Sequence, residues 1–150
     1  MKTYLSGGGT VEDMHNVNLH FAENILYKKL LVIPQAAAPE LVSFEFCEDF
    51  IGNISAFDHL LIEMEESLEE ITSDIISRFG GIYFLGGMTS TLMHEIKTHR
   101  FDVLVDQFIK EGKPVCGMSA GAVIMGSNLA TVENDPDEKR NNLIFEEIEQ

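Results

Sequence analysis

Short apolar runs alternate with amphipathic stretches along this chain. Continuous apolar runs flanked by glycine or proline predict strands buried within a sheet. The predicted strands are residues 3–6, 29–34, 58–63, 80–87 and 114–116. Apolar residues at intervals of three and four predict helices. The predicted helices are residues 12–27, 39–51, 68–78, 89–97, 101–110 and 122–125.

The regular alternation of strand and helix predicts a parallel sheet with helices on both faces. We therefore expect an α/β fold, a three-layer sandwich in one domain spanning residues 1–150. In such sheets ligands bind beyond the carboxyl ends of the strands. Three predicted loops lie at that edge: residues 7–9, residues 86–89 and the turn around Ser119. Within the second loop, Thr89 is expected to cap the next helix.

The turn at Ser119 carries the candidate chemistry. It reads Gly117-Met118-Ser119-Ala120-Gly121 between an apolar strand and a helix, the G-x-S-x-G pattern of a nucleophile elbow. A nucleophile on so sharp a turn needs small neighbours, which Gly117, Ala120 and Gly121 supply. The alternative interpretation is a tight structural turn in which Ser119 only caps the following helix.

Composition narrows the function classes. Acidic residues outnumber basic ones 25 to 10, a net charge of −15, which disfavours nucleic acid and anionic membranes as partners. No apolar run reaches the ~18 residues of a membrane span, and residues 1–9 show no secretion signal, so we expect a cytoplasmic protein. Cys47 and Cys116 do not form a disulfide framework.

The sequence predicts neither a cofactor nor a metal site. The glycines at 7–9 match neither the G-x-G-x-x-G nor the P-loop pattern, so nucleotide binding is not expected. Five carboxylates could suggest a metal site but are typical of a solvated helix entry: Glu63, Glu65, Glu66, Glu69 and Glu70.

Two linked motifs resemble a known family. Leu85-Gly86-Gly87-Met88-Thr89 and the elbow at Ser119 are similar to those of the serine peptidases that include aspartyl dipeptidase (dipeptidase E) and cyanophycinase. The resemblance covers residues 1–130 and implies a fold like that of class I glutamine amidotransferases, which is flavodoxin-like. It differs from the family pattern at Leu85 and Met88, where glycine and asparagine are usual.

The resemblance implies roles for individual residues. Ser119 matches the family nucleophile, and the N–H groups of Gly87 and Ala120 match the oxyanion hole. The neighbouring loops are expected to contact substrate through Gly8, Gly9, Gly86, Met88 and Thr89. The family's catalytic histidine lies well beyond the serine, and no histidine follows Ser119 in these 150 residues. Asp135 and Asp137 follow the elbow and fit either a site or a turn.

Two functions remain open from the sequence. The first is a serine-type peptidase that hydrolyses small, Asp-containing peptides through an acyl-enzyme on Ser119. The second is a catalytically inactive, amidotransferase-like binding or scaffold protein that lacks the triad histidine. An ordinary α/β-hydrolase would need a longer chain, and glutamine amidotransferase chemistry would need cysteine in place of Ser119. Exposed sheet edges would favour a homo-oligomer.

Overall fold

The sheet of this protein is parallel throughout its described strands. The computed structural model describes residues 2–36, 61–64 and 67–126. The strands are β1 (Thr3–Ser6), β2 (Lys29–Ile33), β3 (Leu61–Met64), β4 (Gly81–Phe84) and β5 (Val115–Met118). They are ordered β1-β5-β4-β2-β3, and every neighbouring pair is parallel. This confirms the predicted parallel α/β sheet.

Helices cover both faces of the sheet. They are α1 (Val11–Asn24), α2 (Ser73–Ile76), α3 (Thr89–Thr98), α4 (Phe101–Lys110) and α5 (Ala120–Val123), with a 3-10 turn at Leu68–Glu70. On one face α1 packs through Met14 and Phe21 against Tyr83 and Cys116. On the other face, side chains of α2 to α4 form the larger core. That core includes Ile76, Leu92, Ile96, Phe101, Val105, Phe108 and the strand residues Leu31, Ile33, Ile82, Phe84 and Val115.

The central position of β5 brings three strand ends together. β5 lies between β1 and β4, with Ser6 opposite Met118 and Phe84 opposite Gly117. Because all three strands are parallel, the loops that follow them leave the same edge of the sheet. The three loops that the sequence places at the carboxyl edge therefore adjoin one another.

The predicted helix over residues 68–78 is wrong as a single element. Ile71 and Thr72 have extended backbone, with ψ of 108° and 170°, and separate the 3-10 turn from α2. The Thr72 hydroxyl accepts a hydrogen bond from the Ile75 N–H and so starts a new helix. A threonine hydroxyl can bond backbone N–H groups that would otherwise belong to a continuous helix, and so favours a new helix start. The composition of residues 68–78 gave no sign of this break.

Two smaller predictions about helix ends are also corrected. The first helix begins at Val11 and ends at Asn24, three residues before the predicted end at Tyr27, which has a φ of 58°. Thr89 does not cap α3: it is the first helical residue, and the N-cap position belongs to Met88, whose side chain makes no capping bond. The helix at residues 101–110 has the predicted bounds.

Several predicted features lie outside the described residues. They are the helix at 39–51, the first part of the strand at 58–63, Cys47, His59, Asp135 and Asp137. Within the described part of the chain, none of the helices is both long and apolar enough to cross a membrane.

Candidate active site

Ser119 lies between β5 and α5 in a conformation that non-glycine residues rarely adopt. Its φ is 53° and its ψ is −115°, and its side chain is exposed to solvent. Such a backbone costs about 1 to 3 kcal/mol and persists only where surrounding contacts enforce it. Here the Ser119 carbonyl accepts hydrogen bonds from the N–H groups of Ala122 (2.8 Å) and Val123 (3.0 Å). The predicted strained elbow is thus present.

The hydroxyl of Ser119 is not used for helix capping. Ser119 occupies the N-cap position of α5, yet its side chain makes no capping hydrogen bond. An N-cap residue that bonds the first turn has extended backbone. With a positive φ, Ser119 instead directs its side chain away from that arrangement. The interpretation of Ser119 as a purely structural cap is therefore not supported by the geometry.

Small residues allow the elbow to pack closely against the sheet. A Cβ built on Gly121 would lie 2.5 Å from the carbonyl oxygen of Phe84 on β4, inside van der Waals contact. Ala120 is buried, with 2 % of its surface exposed. These residues let the start of α5 lie directly on the strand ends, as the G-x-S-x-G pattern predicts.

Gly8 and Gly86 lie on the two neighbouring loops and flank Ser119. A Cβ on Gly86 would lie 3.0 Å from the Cβ and 3.5 Å from the Oγ of Ser119. A Cβ on Gly8, whose φ is 92°, would lie 3.7 Å from the Ser119 Cβ. The structure therefore brings Gly8 and Gly86 beside the nucleophile candidate, and a larger residue at position 86 would crowd its hydroxyl.

The loop after β4 is fixed by backbone hydrogen bonds. The N–H of Leu85 donates to the Ile33 carbonyl at 3.0 Å, and the N–H of Met88 donates to the Ala36 carbonyl at 2.5 Å. Gly87 between them is exposed and has a φ of 139°, which glycine adopts at little cost. Met88 is half-buried and Thr89 is 3 % exposed. Of these loop residues, Gly87 is thus the most accessible to a ligand.

Gly9 is positioned by the start of α1 rather than by Ser119. A Cβ on Gly9 would lie 2.9 Å from the Cβ of Asp13. Asp13 and Thr10 form a reciprocal cap, in which the Asp13 carboxylate accepts hydrogen bonds from the Thr10 N–H and hydroxyl. The hydrogen bond from the Thr10 backbone holds the pKa of Asp13 below its ordinary value. Gly9 therefore marks the rim of the site.

No general base contacts the Ser119 hydroxyl among the described residues. His15 and His20 are exposed on α1, whereas His94 on α3 and His99 at the C-cap of α3 are half-buried. The Nε2 of His99 lies 3.5 Å from a carboxylate oxygen of Glu95 on α3. The described residues also contain no group of three or more side chains able to hold a metal ion.

The sequence did not predict one buried polar side chain, that of Asn18, which packs against the sheet below the site. Asn18 on α1 is fully buried, and its Oδ1 accepts a hydrogen bond from the Tyr83 hydroxyl at 3.0 Å. Tyr83 in turn contacts Cys116, which lies opposite it on β5. The spacing in the sequence could have predicted its burial, because Asn18 follows Met14 by four residues and therefore lies on the same apolar face of α1.

Comparison with known proteins identifies the family. Residues 3–146 match the model of peptidase family S51. The chain belongs to peptidase family S51. An uncharacterized peptidase of Listeria monocytogenes is 35 % identical over 123 residues, and one of Pasteurella multocida is 34 % identical over 125 residues. These matches cover 80 % and 81 % of this chain but 59 % of each relative.

Two solved structures of peptidases have the same fold as this chain. A crystal structure of a candidate peptidase E from Listeria monocytogenes matches with a TM-score of 0.71 at 30 % identity, covering 93 % of this chain and 69 % of that one. A peptidase from an acI-B1 actinobacterium matches with a TM-score of 0.65 at 18 % identity, covering 82 % of this chain and 55 % of that one. The chain spans about three fifths of the length of the two uncharacterized peptidases that it matches.

Proposed function

We propose that this chain carries the nucleophile of a serine-type peptidase, with Ser119 attacking the carbonyl carbon of a scissile amide. The attack forms a bond from the Ser119 Oγ to that carbon, the C–N bond breaks, and the amine leaves with the proton of the hydroxyl. Water then hydrolyses the acyl-enzyme, which releases the acid and returns a proton to the Ser119 oxygen. The observation that carries this proposal is the backbone of Ser119, with its φ of 53° and its exposed, uncapped hydroxyl at the carboxyl edge of a parallel sheet.

The N–H groups of Gly87 and Ala120 are the proposed oxyanion hole. Ala120 is the first residue of α5, so its N–H has no acceptor within the helix. Gly87 is exposed in the adjoining loop, next to Gly86, which lies against Ser119. Donors fixed before the reaction stabilise the negative charge that develops on the carbonyl oxygen. Met88 and Thr89 would support the loop that carries Gly87. Gly8 and Gly9 would border the site on the side of Ser119 that faces β1.

The proposed substrates are small peptides that contain aspartate, as the resemblance to aspartyl dipeptidase implies. The experiment compares hydrolysis of dipeptides with an N-terminal aspartate, asparagine or alanine, followed by chromatography of the released amino acids. Asparagine matches aspartate in size but lacks its charge. Preference for aspartate over asparagine would support recognition of the carboxylate, whereas equal rates would contradict that specificity while leaving Ser119 chemistry intact.

A second function is favoured by one observation, the lack of any base bonded to Ser119 among the described residues. A serine hydroxyl is a weak nucleophile until a base takes its proton. On this alternative the chain is an inactive, amidotransferase-like binding or scaffold protein that uses the same edge of the sheet. The two functions differ in one measurable property, the reactivity of the Ser119 hydroxyl.

Labelling by a fluorophosphonate separates the two functions. The reagent phosphonylates an activated serine with loss of fluoride, and intact mass reports the stoichiometry. Labelling of the chain that is lost in Ser119→Ala would support the peptidase. Ser77→Ala is a matched control, because Ser77 caps the C-terminal end of α2 and its hydroxyl donates to the Asp74 carbonyl. Absence of labelling in a folded sample would favour the binding protein.

Self-association through a sheet edge is a further part of the proposal. β1 and β3 form the two ends of the described sheet, and each carries an exposed leucine, Leu5 at 53 % and Leu61 at 57 %. Edge strands with exposed apolar residues favour pairing with another chain. Light scattering across a range of concentrations tests this, and a monomer at every concentration would contradict it.

A further inference from the structure

We propose that Ser6, the last residue of β1, is a positioning residue for Ser119. Its carbonyl fixes the backbone of Ser119, while its hydroxyl fixes the glycine turn that lies against Ser119. This inference rests on the proposed function, because positioning has a catalytic meaning only if the Ser119 hydroxyl is reactive.

The first contact runs through the backbone. The N–H of Ser119 donates to the Ser6 carbonyl at 2.8 Å, one residue beyond the paired positions Ser6 and Met118. This bond extends the β1–β5 ladder into the elbow itself. The strained φ of Ser119 is therefore supported from β1 as well as from α5, whose N–H groups bond the Ser119 carbonyl.

The second contact runs through the side chain. The Ser6 Oγ accepts a hydrogen bond from the Gly8 N–H at 3.2 Å, and it contacts the Met14 Sδ, to which its hydroxyl can donate. Met14 is a residue of α1 and is fully buried in the core between that helix and the sheet. The hydroxyl thus ties the turn at residues 7–9 to a rigid part of the molecule, and a serine side chain bonded to the N–H two residues on is a favourable turn geometry.

The position of Gly8 makes this turn relevant to Ser119. A Cβ built on Gly8 would lie 3.7 Å from the Ser119 Cβ and 3.8 Å from the Met118 Cγ. Gly8 therefore forms one wall beside the nucleophile, opposite Gly86. If the hydroxyl of Ser6 is lost, the turn gains freedom and the wall moves, although the carbonyl of residue 6 still supports the Ser119 N–H.

The test compares Ser6→Ala with Ser6→Thr and with the matched control Ser77→Ala. Fluorophosphonate labelling is measured as a function of reagent concentration, which separates the maximal labelling rate from the half-saturating concentration. We expect Ser6→Ala to lower the maximal rate about three- to tenfold, the loss of one ordinary hydrogen bond. Ser6→Thr keeps the hydroxyl and should restore most of that rate, while Ser77→Ala should leave it unchanged.

A second measurement keeps the inference separate from the proposed function. Amide hydrogen exchange by NMR reports the protection of the Gly8 and Ser119 N–H groups directly. Faster exchange at the Gly8 amide in Ser6→Ala, but not in Ser6→Thr or Ser77→Ala, supports positioning even if wild-type chain does not label and the peptidase proposal fails. The Ser119 amide keeps its acceptor, the carbonyl of residue 6, and should stay protected in all three variants. Unchanged exchange of the Gly8 amide in Ser6→Ala, or an unchanged maximal rate in a chain that does label, would overturn the inference.

Discussion

Gly117 lies so close to Gly121 that no side chain fits between them. A Cβ built on Gly117 would lie 2.2 Å from the carbonyl oxygen of Gly121, and 2.5 Å from its carbonyl carbon. Because both partners are backbone, the contact cannot relax through a rotamer change. The glycines of the elbow therefore serve the packing of α5 onto β5, independently of any chemistry at Ser119.

The first prediction is that Gly117→Ala lowers the free energy of unfolding by about 3 kcal/mol or more, the upper end for an overpacked site. Urea denaturation followed by circular dichroism measures the change. Gly7→Ala is the matched control, since a Cβ there meets nothing within 4 Å, and it should change stability little. Equal stability of the two variants would contradict the packing argument.

The second prediction concerns reactivity rather than stability. In Gly86→Ala the new methyl group would lie 3.0 Å from the Ser119 Cβ, so one of the two must shift by a few tenths of an ångström. If Ser119 is the nucleophile, as proposed, displacing it by this distance should lower fluorophosphonate labelling roughly tenfold, given that a 1 Å misplacement costs about 100-fold. Ser77→Ala again serves as the control for labelling. Normal labelling of Gly86→Ala would show that the site tolerates this crowding.

The sequence predicted the general architecture because its strongest signals are local. Residues Leu30–Ile33 form a continuous apolar run and are fully buried in β2, as expected for a central parallel strand. The helix at Phe101–Lys110 was predicted with its observed bounds because its apolar spacing is regular and Gly112 follows, with a φ of 82°. The elbow was predicted since its small residues sit at fixed spacing.

Other features depend on contacts between distant residues and were not predictable. Placement of β1 at the edge beside β5 is decided by pairing of strands more than a hundred residues apart, which no local pattern encodes. The role of Ser6 rests partly on its backbone carbonyl, which every residue has. The break at Ile71 and Thr72 was missed because two short helical segments resemble one long helix in composition.

The third prediction addresses the buried pair formed by Tyr83 and Asn18. Tyr83→Phe removes the hydroxyl that donates to the Asn18 Oδ1 and leaves this oxygen buried without that hydrogen bond. The substitution should therefore lower the free energy of unfolding by about 1 to 3 kcal/mol. Tyr4→Phe is the matched control, because the Tyr4 hydroxyl accepts a hydrogen bond from Asn24 in a part-buried position where water can replace it. Its cost should be smaller.

A double variant tests whether this cost comes from the unsatisfied asparagine. Replacing Asn18 by leucine in the Tyr83→Phe background removes the stranded polar group from the core. The double variant should be more stable than Tyr83→Phe alone, because removing both partners of a buried hydrogen bond is nearly neutral. A double variant whose loss equals the sum of the two single losses would show that the pair is not coupled.

The last prediction concerns stability at alkaline pH. Burial raises the pKa of the Cys116 thiol from its ordinary value of 9.0 to about 12. Between these values the folded state keeps the proton that the unfolded state has lost, so the folded state binds more protons. The contribution of this thiol to the free energy of unfolding should therefore be constant below about pH 9 and should fall as the pH rises towards about 12.

Urea denaturation at intervals from about pH 8 to about pH 11 measures this dependence. Cys116→Ala removes the titrating group, so its free energy of unfolding should fall less steeply over that range, even if the variant is less stable throughout. The slope that remains has a further source in Tyr83, whose pKa is also raised by burial. Parallel curves for the wild-type chain and Cys116→Ala would show that the thiol does not contribute. A shallower curve for Cys116→Ala would show that the Cys116 thiol stays protonated in the folded chain over this pH range, as its burial in β5 implies.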